Sequence, residues 1–156
     1  MSTSSISILQ QRRIEANIIK PLVAAFEKEL GREKTREVLA QAIMELARQK
    51  GAELRQGVSD DSLESFAAVL EPWQRDDSMD MEVLGLNDDV FRFNVTRCRY
   101  AEMYRELGLA ELGYTLSCNR DASLIKGFSP DIELSRTQTL MEGASYCDFL
   151  YNRKKG

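Results

Sequence analysis

The sequence predicts an α+β fold, because helical periodicity fills its first part and strands mix with helices in its second part. Apolar residues recur at helical spacing through residues 1–70, and alternation of apolar with polar residues begins only later. Short connections within residues 79–153 favour antiparallel strand pairing. We expect an N-terminal helical hairpin plus a third helix, then an antiparallel sheet of about four strands with a helical pair inserted between two hairpins. The length favours a single domain, 1–156.

Two amphipathic helices are predicted at the start of the chain. The first has an apolar residue at every fourth position, namely Ile14, Ile18, Leu22, Phe26 and Leu30. We expect this helix to bend or restart at Pro21 and to end at Gly31. The second helix has an apolar face that runs to Leu46 and is expected to close at Gly51. The two helices are expected to pack as a hairpin, which also offers a surface for a homodimer.

A third helix is predicted by Asp61 and Glu64, whose spacing resembles a capping box. Alternating residues 79–83 and 91–95 then flank an Asn-Asp-Asp turn and predict a β-hairpin. Helical spacing returns from Tyr100 and predicts a helical pair that reaches the region of Gly127.

Two further strands are predicted near the C-terminus. Residues 132–141 and 146–152 have the composition of strands, and Gly143 lies in the short segment that joins them. If these strands paired symmetrically, Thr139 would face Cys147 and Arg136 would lie diagonal to Asp148. A slip of one residue in the register would exchange the two faces.

Composition disfavours several function classes. The net charge of −4 disfavours a nucleic-acid partner. The chain has no histidine, which removes Ser-His-Asp and Cys-His catalysis and the commonest metal ligand. Acid–base chemistry is therefore left to Asp, Glu, Cys, Tyr or Lys. No long apolar run and no secretory pattern are visible, so we expect no membrane partner and a cytoplasmic location.

The residues that suit chemistry are concentrated in the C-terminal half. Cys118 and Asp121 are three residues apart, and a helix would place both side chains on one face. Three cysteines are an odd number for a disulfide framework, so free thiols or metal ligands are expected. The separation of Cys118 and Cys147 is not a recognisable zinc spacing. We expect no cofactor, with zinc bound through these two thiols as the less favoured alternative.

Residues from Cys98 to Tyr151 carry a pattern that includes the segments LSCNRD, RTQTLMEG and CDF. Its members are Cys98, Gly108, Cys118, Asp121, Arg136, Thr137, Thr139, Gly143, Cys147, Asp148 and Phe149. This pattern resembles the L-2-amino-thiazoline-4-carboxylic acid hydrolase family. The resemblance implies hydrolytic opening of a five-membered 2-amino-thiazoline ring at a carbon–nitrogen bond other than a peptide bond.

Applied to that reaction, the residues suggest four catalytic side chains. Cys118 or Cys147 would attack the ring carbon, or would position a water molecule to attack it. Asp121 and Asp148 would hold or deliver the proton that the leaving ring nitrogen needs.

Three further residues are expected to bind the small-molecule substrate. Arg136 or Arg97 would meet the substrate carboxylate through bidentate hydrogen bonds. Thr139 would orient a polar edge of the ring.

The same C-terminal pattern is similar, more distantly, to ligand-binding domains of the 4-vinyl reductase type. That similarity implies an alternative function, a non-catalytic sensor of small molecules with a metal held by cysteine. Some sensors of this group hold zinc near the positions of Cys118 and Cys147, but Thr139 stands where a further thiol would be needed.

Overall fold

The first two helices form the predicted hairpin in a computed structural model of the protein, which describes residues 5–155. Helix α1 (Ile8–Leu30) begins at a capping box formed by Ser7 and runs through Pro21 without ending. Helix α2 (Arg32–Gln56) follows after a single residue, Gly31, whose positive φ of 85° ends α1 as predicted. Since α1 continues through Pro21, the helix does not restart there.

Gly51 lies inside α2 and does not end it, in contrast to the prediction. Its lack of a side chain lets another helix pack closely against α2. It lies against the backbone of Leu124 and Phe128, and a β-carbon at Gly51 would overlap both. Gly127 has the reciprocal role, since its β-carbon would overlap the carbonyl of Arg48. The two glycines let α2 and the later helix α6 (Arg120–Phe128) approach closely.

Helix α3 (Leu63–Val69) is capped by Ser62, not by Asp61 as predicted. The Ser62 hydroxyl accepts the amide of Ser65, whereas the Asp61 carboxylate accepts a hydrogen bond from the Ser129 hydroxyl. A 3₁₀ segment, Glu71–Asp77, leads from α3 to the sheet.

The four strands form one antiparallel sheet with the order β1-β2-β4-β3. Strands β1 (Met79–Leu86) and β2 (Val90–Cys98) are the predicted first hairpin. Strands β3 (Ile132–Ser135) and β4 (Cys147–Arg153) complete the sheet. The α+β architecture is therefore confirmed.

The second predicted hairpin is shorter than expected, because the chain leaves the sheet after Ser135. Ser135 pairs with Leu150, so the symmetric pairing of Thr139 with Cys147 does not occur. The backbone amides of residues 137 and 138 donate to the carboxylate of Asp148 at 2.9 Å each. In a longer β3 these two amides would donate to the neighbouring strand. Because they donate to the Asp148 side chain instead, β3 ends before them.

The segment between β2 and β3 contains three helices, which are α4 (Arg99–Glu106), α5 (Ala110–Gly113) and α6. A π turn, Tyr114–Cys118, joins α5 to α6. Cys98 is the last residue of β2, directly before α4. Cys118 lies at the end of the π turn and therefore close to the start of α6.

Helix α6 lies between the sheet and α2, and it contributes to the hydrophobic core on the sheet side. Its apolar residues Leu124, Ile125 and Phe128 pack with α3 and with the sheet. A second cluster joins α1 and α2 to α4 and α5. Within residues 5–155, no helix has the length and apolar character needed to cross a bilayer.

Candidate active site

A cavity of about 90 Å³ lies where α1, α2, β2, β4 and the start of α6 meet. Its walls are formed by Arg12, Ala47, Lys50, Trp73, Met79, Val95, Cys98, Tyr100, Ser117, Cys118, Arg120, Asp121, Leu124, Arg136, Met141, Cys147 and Phe149. Polar and charged groups thus meet a largely apolar wall in a small space. Such a cavity suits a small molecule and not a polymer.

Four residues that the sequence singled out meet at this cavity. Cys118, Cys147, Asp121 and Arg136 come from the π turn, β4, α6 and the segment after β3. Cys98 joins them from the end of β2. All three thiols of the protein therefore line one cavity, and they are free.

Arg136 and Asp121 form the central ion pair of the cavity. The Nη1 of Arg136 donates to Oδ2 of Asp121 at 2.6 Å, and its Nη2 donates to the carbonyl of Cys118 at 3.1 Å. Only 8% of the Arg136 side chain is exposed. Its guanidinium also lies 4.9 Å from the ring centroid of Phe149. These contacts hold the guanidinium in one orientation.

Burial raises the pKa of Asp121 above its ordinary value, while the charge of Arg136 opposes that shift. The carboxyl lies deep in the protein, yet 28% of its side chain remains accessible because it lines the cavity. A carboxyl with a raised pKa holds its proton at higher pH than an ordinary aspartic acid. Asp121 is thus suited to exchange a proton with a bound molecule.

The Cys147 thiol receives both a backbone hydrogen bond and the charge of a nearby arginine. Burial raises its pKa to about 11, but the amide of Leu140 donates to its sulfur at 3.1 Å and opposes this rise. The charge of Arg136 also favours the thiolate of Cys147.

Each of the other two thiols has only one of these two kinds of contact. Burial, and then the negative charge of Asp121, raise the pKa of Cys118 well above its usual range. Burial also raises the pKa of Cys98, and the backbone amides of Ala101 and Tyr100 oppose the shift. The charges of Asp121 and Glu102 act against the Cys98 thiolate as well.

Three predicted site residues do not line the cavity. Asp148 holds the turn after β3, since its carboxylate accepts from the backbone and hydroxyl of Thr137. Thr139 is buried and donates its hydroxyl hydrogen to Glu142 at 2.8 Å. Arg97 is on the surface, where it pairs with Glu102 at 3.1 Å. The proposed Arg136–Asp148 pair is absent, because Arg136 turns inward to Asp121.

The sequence analysis missed the cationic wall that α1 and α6 bring to the cavity. Arg12 is only 8% exposed and donates to Glu15 at 2.9 Å. The Nη2 of Arg120 lies 3.6 Å from the same carboxylate, and its Nε donates to the carbonyl of Leu116 at 2.7 Å. No sequence signal identifies this wall, because Arg12 and Arg120 come together only through tertiary packing.

A second cavity of about 410 Å³ adjoins the first and shares four of its residues, Arg12, Lys50, Trp73 and Arg120. It is bounded by α1, α2 and the segment that leads to the sheet. A ligand that travels through this wider space would pass the two arginines before it meets the thiols.

The described part of the chain contains no group of three or more Cys, Asp or Glu side chains arranged around a common point for a metal ion.

A family model described as L-2-amino-thiazoline-4-carboxylic acid hydrolase matches residues 11–151. The match includes the segments of α1, α6 and β4 that line the cavity. A comparison with curated proteins gave no match to the chain.

Proposed function

The chain belongs to the L-2-amino-thiazoline-4-carboxylic acid hydrolase family, and from this membership we propose that it opens a small cyclic amidine ring by hydrolysis. The bond broken is a carbon–nitrogen bond of the ring, as in 2-amino-thiazoline-4-carboxylate. The observation that carries the proposal is that Cys118, Cys147, Asp121 and Arg136 line one small cavity.

In the proposed reaction Cys147 is the nucleophile. Its sulfur attacks the ring carbon that lies between the ring sulfur and the two nitrogens. The thiol is protonated at neutral pH, because its pKa is raised to about 11. A cyclic amidine is itself basic, so the thiol proton can pass to the substrate as the carbon–sulfur bond forms. No histidine is needed for this transfer.

Asp121 donates the proton that the leaving ring nitrogen needs. As the bond between the attacked carbon and the ring nitrogen breaks, that nitrogen leaves as an amine and takes a proton from the Asp121 carboxyl. A water molecule then attacks the carbon held on Cys147; one of its protons returns to Asp121, and the other leaves with the Cys147 thiol. The net reaction adds one water and gives a thiocarbamate with a free amino group.

Arg12 and Arg120 are proposed to bind the substrate carboxylate, in place of the predicted Arg97. The two guanidiniums share the single carboxylate of Glu15, whereas Arg136 is already paired with Asp121. Three arginines thus face at most two carboxylates, those of Glu15 and Asp121, and leave at least one positive charge in excess. A bound carboxylate would satisfy that charge through strong hydrogen bonds.

A binding function without catalysis is the second candidate, and the raised pKa values of the thiols favour it. Neutral thiols in an apolar cavity are typical of buried structural cysteines, which are inert. In that case the cavity would retain its ligand unchanged.

The two candidates are separated by mixing the pure protein with 2-amino-thiazoline-4-carboxylate and following both melting temperature and ring opening. We expect the ring to open in many turnovers per protein molecule. Stabilisation against heat without consumption of the compound would support the binding function and reject the hydrolase. The matched control is the compound without its carboxylate, which should react poorly.

A further inference from the structure

A row of apolar side chains lies unburied along the outside of α1. Its members, which we call the α1 stripe, are Ile14, Ile18, Leu22, Phe26 and Leu30, and each is between 49% and 59% exposed. The core instead receives Ala16 and Val23 from this helix. Contiguous apolar strips of this kind on a folded protein mark a surface that another molecule covers.

The centre of α1 also lacks the charges of an ordinary solvent-facing helix. Residues 16–26 contain one charged side chain, Lys20, and its ammonium donates to the carbonyl of Leu107 at 2.8 Å. Depletion of charge at the centre of a patch, with charges beyond its ends, is typical of protein interfaces. Arg13 and Glu29 lie near the two ends of the stripe.

We propose that the α1 stripe binds a second copy of this chain, so that two α1 helices pack antiparallel in a symmetric homodimer. The stripe is evenly spaced and symmetric about Leu22. A twofold axis at Leu22 therefore brings Ile18 against the partner's Phe26 and Ile14 against the partner's Leu30. A surface that matches itself in this way is what an isologous interface requires.

Helix geometry agrees with this arrangement. Residues spaced by four form an inclined ridge, and two such ridges run parallel to each other when the helices cross at about −50°. The antiparallel direction also places Arg13, which pairs with Glu106 of its own chain at 3.2 Å, near Glu29 of the other helix, where the charges are opposite.

The size of the stripe is sufficient for the core of such an interface. Five half-exposed large side chains offer about 400 Å² of apolar area, roughly half of the ~800 Å² that each partner buries in a standard interface. The flanking residues Asn17, Pro21 and Ala25 are exposed and can supply part of the remainder. A membrane surface is a poorer occupant, because the net charge of −4 repels anionic lipids.

Light scattering during size-exclusion chromatography tests the proposal on the full chain. We expect the mass of a dimer for the wild type and of a monomer for Leu22→Arg. Leu84→Arg is the matched control, because Leu84 is equally apolar and 46% exposed on the edge strand β1. A monomeric wild type, or a Leu22→Arg variant that keeps the dimer mass, would overturn the proposal.

Cross-linking gives a second test that does not require a charge in the interface. With a short bis-maleimide, Leu22→Cys should link to itself, whereas Ile14→Cys should link to Leu30→Cys only when the two variants are mixed. Equal self-linking by Ile14→Cys would contradict the antiparallel register. Co-sedimentation of the wild type with anionic vesicles, in place of dimer formation, would assign the stripe to a membrane instead.

Discussion

The guanidinium of Arg136 donates to the carboxylate of Asp121 at 2.6 Å, which joins the segment after β3 to helix α6 beside the three thiols. Because this contact is buried, it fixes the Asp121 carboxyl against the cavity and occupies Nη1 of Arg136. The sequence suggested proton transfer for Asp121 and substrate binding for Arg136. Since Arg136 pairs with Asp121, we propose Arg12 and Arg120 in its place for binding the substrate carboxylate.

Asp121→Asn should remove proton transfer while it keeps an acceptor for Arg136. We expect kcat to fall by about 10²-fold to 10⁴-fold. The matched variant is Asp148→Asn, which should keep kcat close to wild type, since Asp148 only holds the turn at Thr137. Steady-state kinetics of ring opening decide the point, and equal losses in both variants would refute the assignment to Asp121.

Arg12→Met and Arg120→Met should weaken binding of the substrate carboxylate. Loss of one charge-assisted hydrogen bond of roughly 1.5–3 kcal/mol corresponds to a rise in KM of roughly 10-fold to 100-fold. Arg97→Met is the control, because Arg97 pairs with Glu102 on the surface. Should Arg97→Met raise KM as much as the other two, the cationic wall would not be the carboxylate site.

Stability should fall at alkaline pH as buried thiols ionise. Burial raises the pKa of Cys147 from 9.0 to about 11, so its contribution to stability is present below pH 9 and is lost as pH rises through 11. Two pKa units correspond to about 2.7 kcal/mol at most. Urea unfolding at intervals between about pH 8 and pH 11 should show a smaller decline for Cys147→Ala than for the wild type. Parallel declines would show that Cys147 titrates normally.

Gly127→Ala should disrupt the contact between α6 and α2. Its β-carbon would overlap the carbonyl of Arg48, which is backbone and cannot move aside alone. We expect a loss of about 1–3 kcal/mol, or more, in the free energy of unfolding. Gly57→Ala is the control, because Gly57 has an ordinary helical φ of −84° and its β-carbon would make only an ordinary contact, 3.5 Å from the Leu54 carbonyl oxygen. Denaturant unfolding of both variants measures the difference, and equal stabilities would contradict the packing role of Gly127.

The sequence was sufficient to predict the α+β fold and the first hairpin, because both depend on local periodicity. It also placed Cys118 beside Asp121, which rests on helical spacing alone. The position of Asp148 could not be predicted, because the end of β3 depends on hydrogen bonds from residues 137 and 138 to that carboxylate.

The cationic wall was beyond sequence reasoning for a different reason. Arg12 and Arg120 are more than a hundred positions apart, and only the packing of α1 near the start of α6 brings them to one carboxylate. The periodicity within either helix does not predict that contact. The outward direction of the α1 stripe is equally a tertiary property, since the pattern of an amphipathic helix does not tell which surface it meets.

The most direct test is the rate of ring opening in three single variants, each of which replaces one cavity thiol by a hydroxyl. Cys147→Ser should lose at least about 10³-fold in kcat/KM with its melting temperature little changed, whereas Cys98→Ser should remain close to wild type. Cys118→Ser should lie between them. Turnover by Cys147→Ser at the wild-type rate would contradict nucleophilic attack by that sulfur, and with it the proposed reaction.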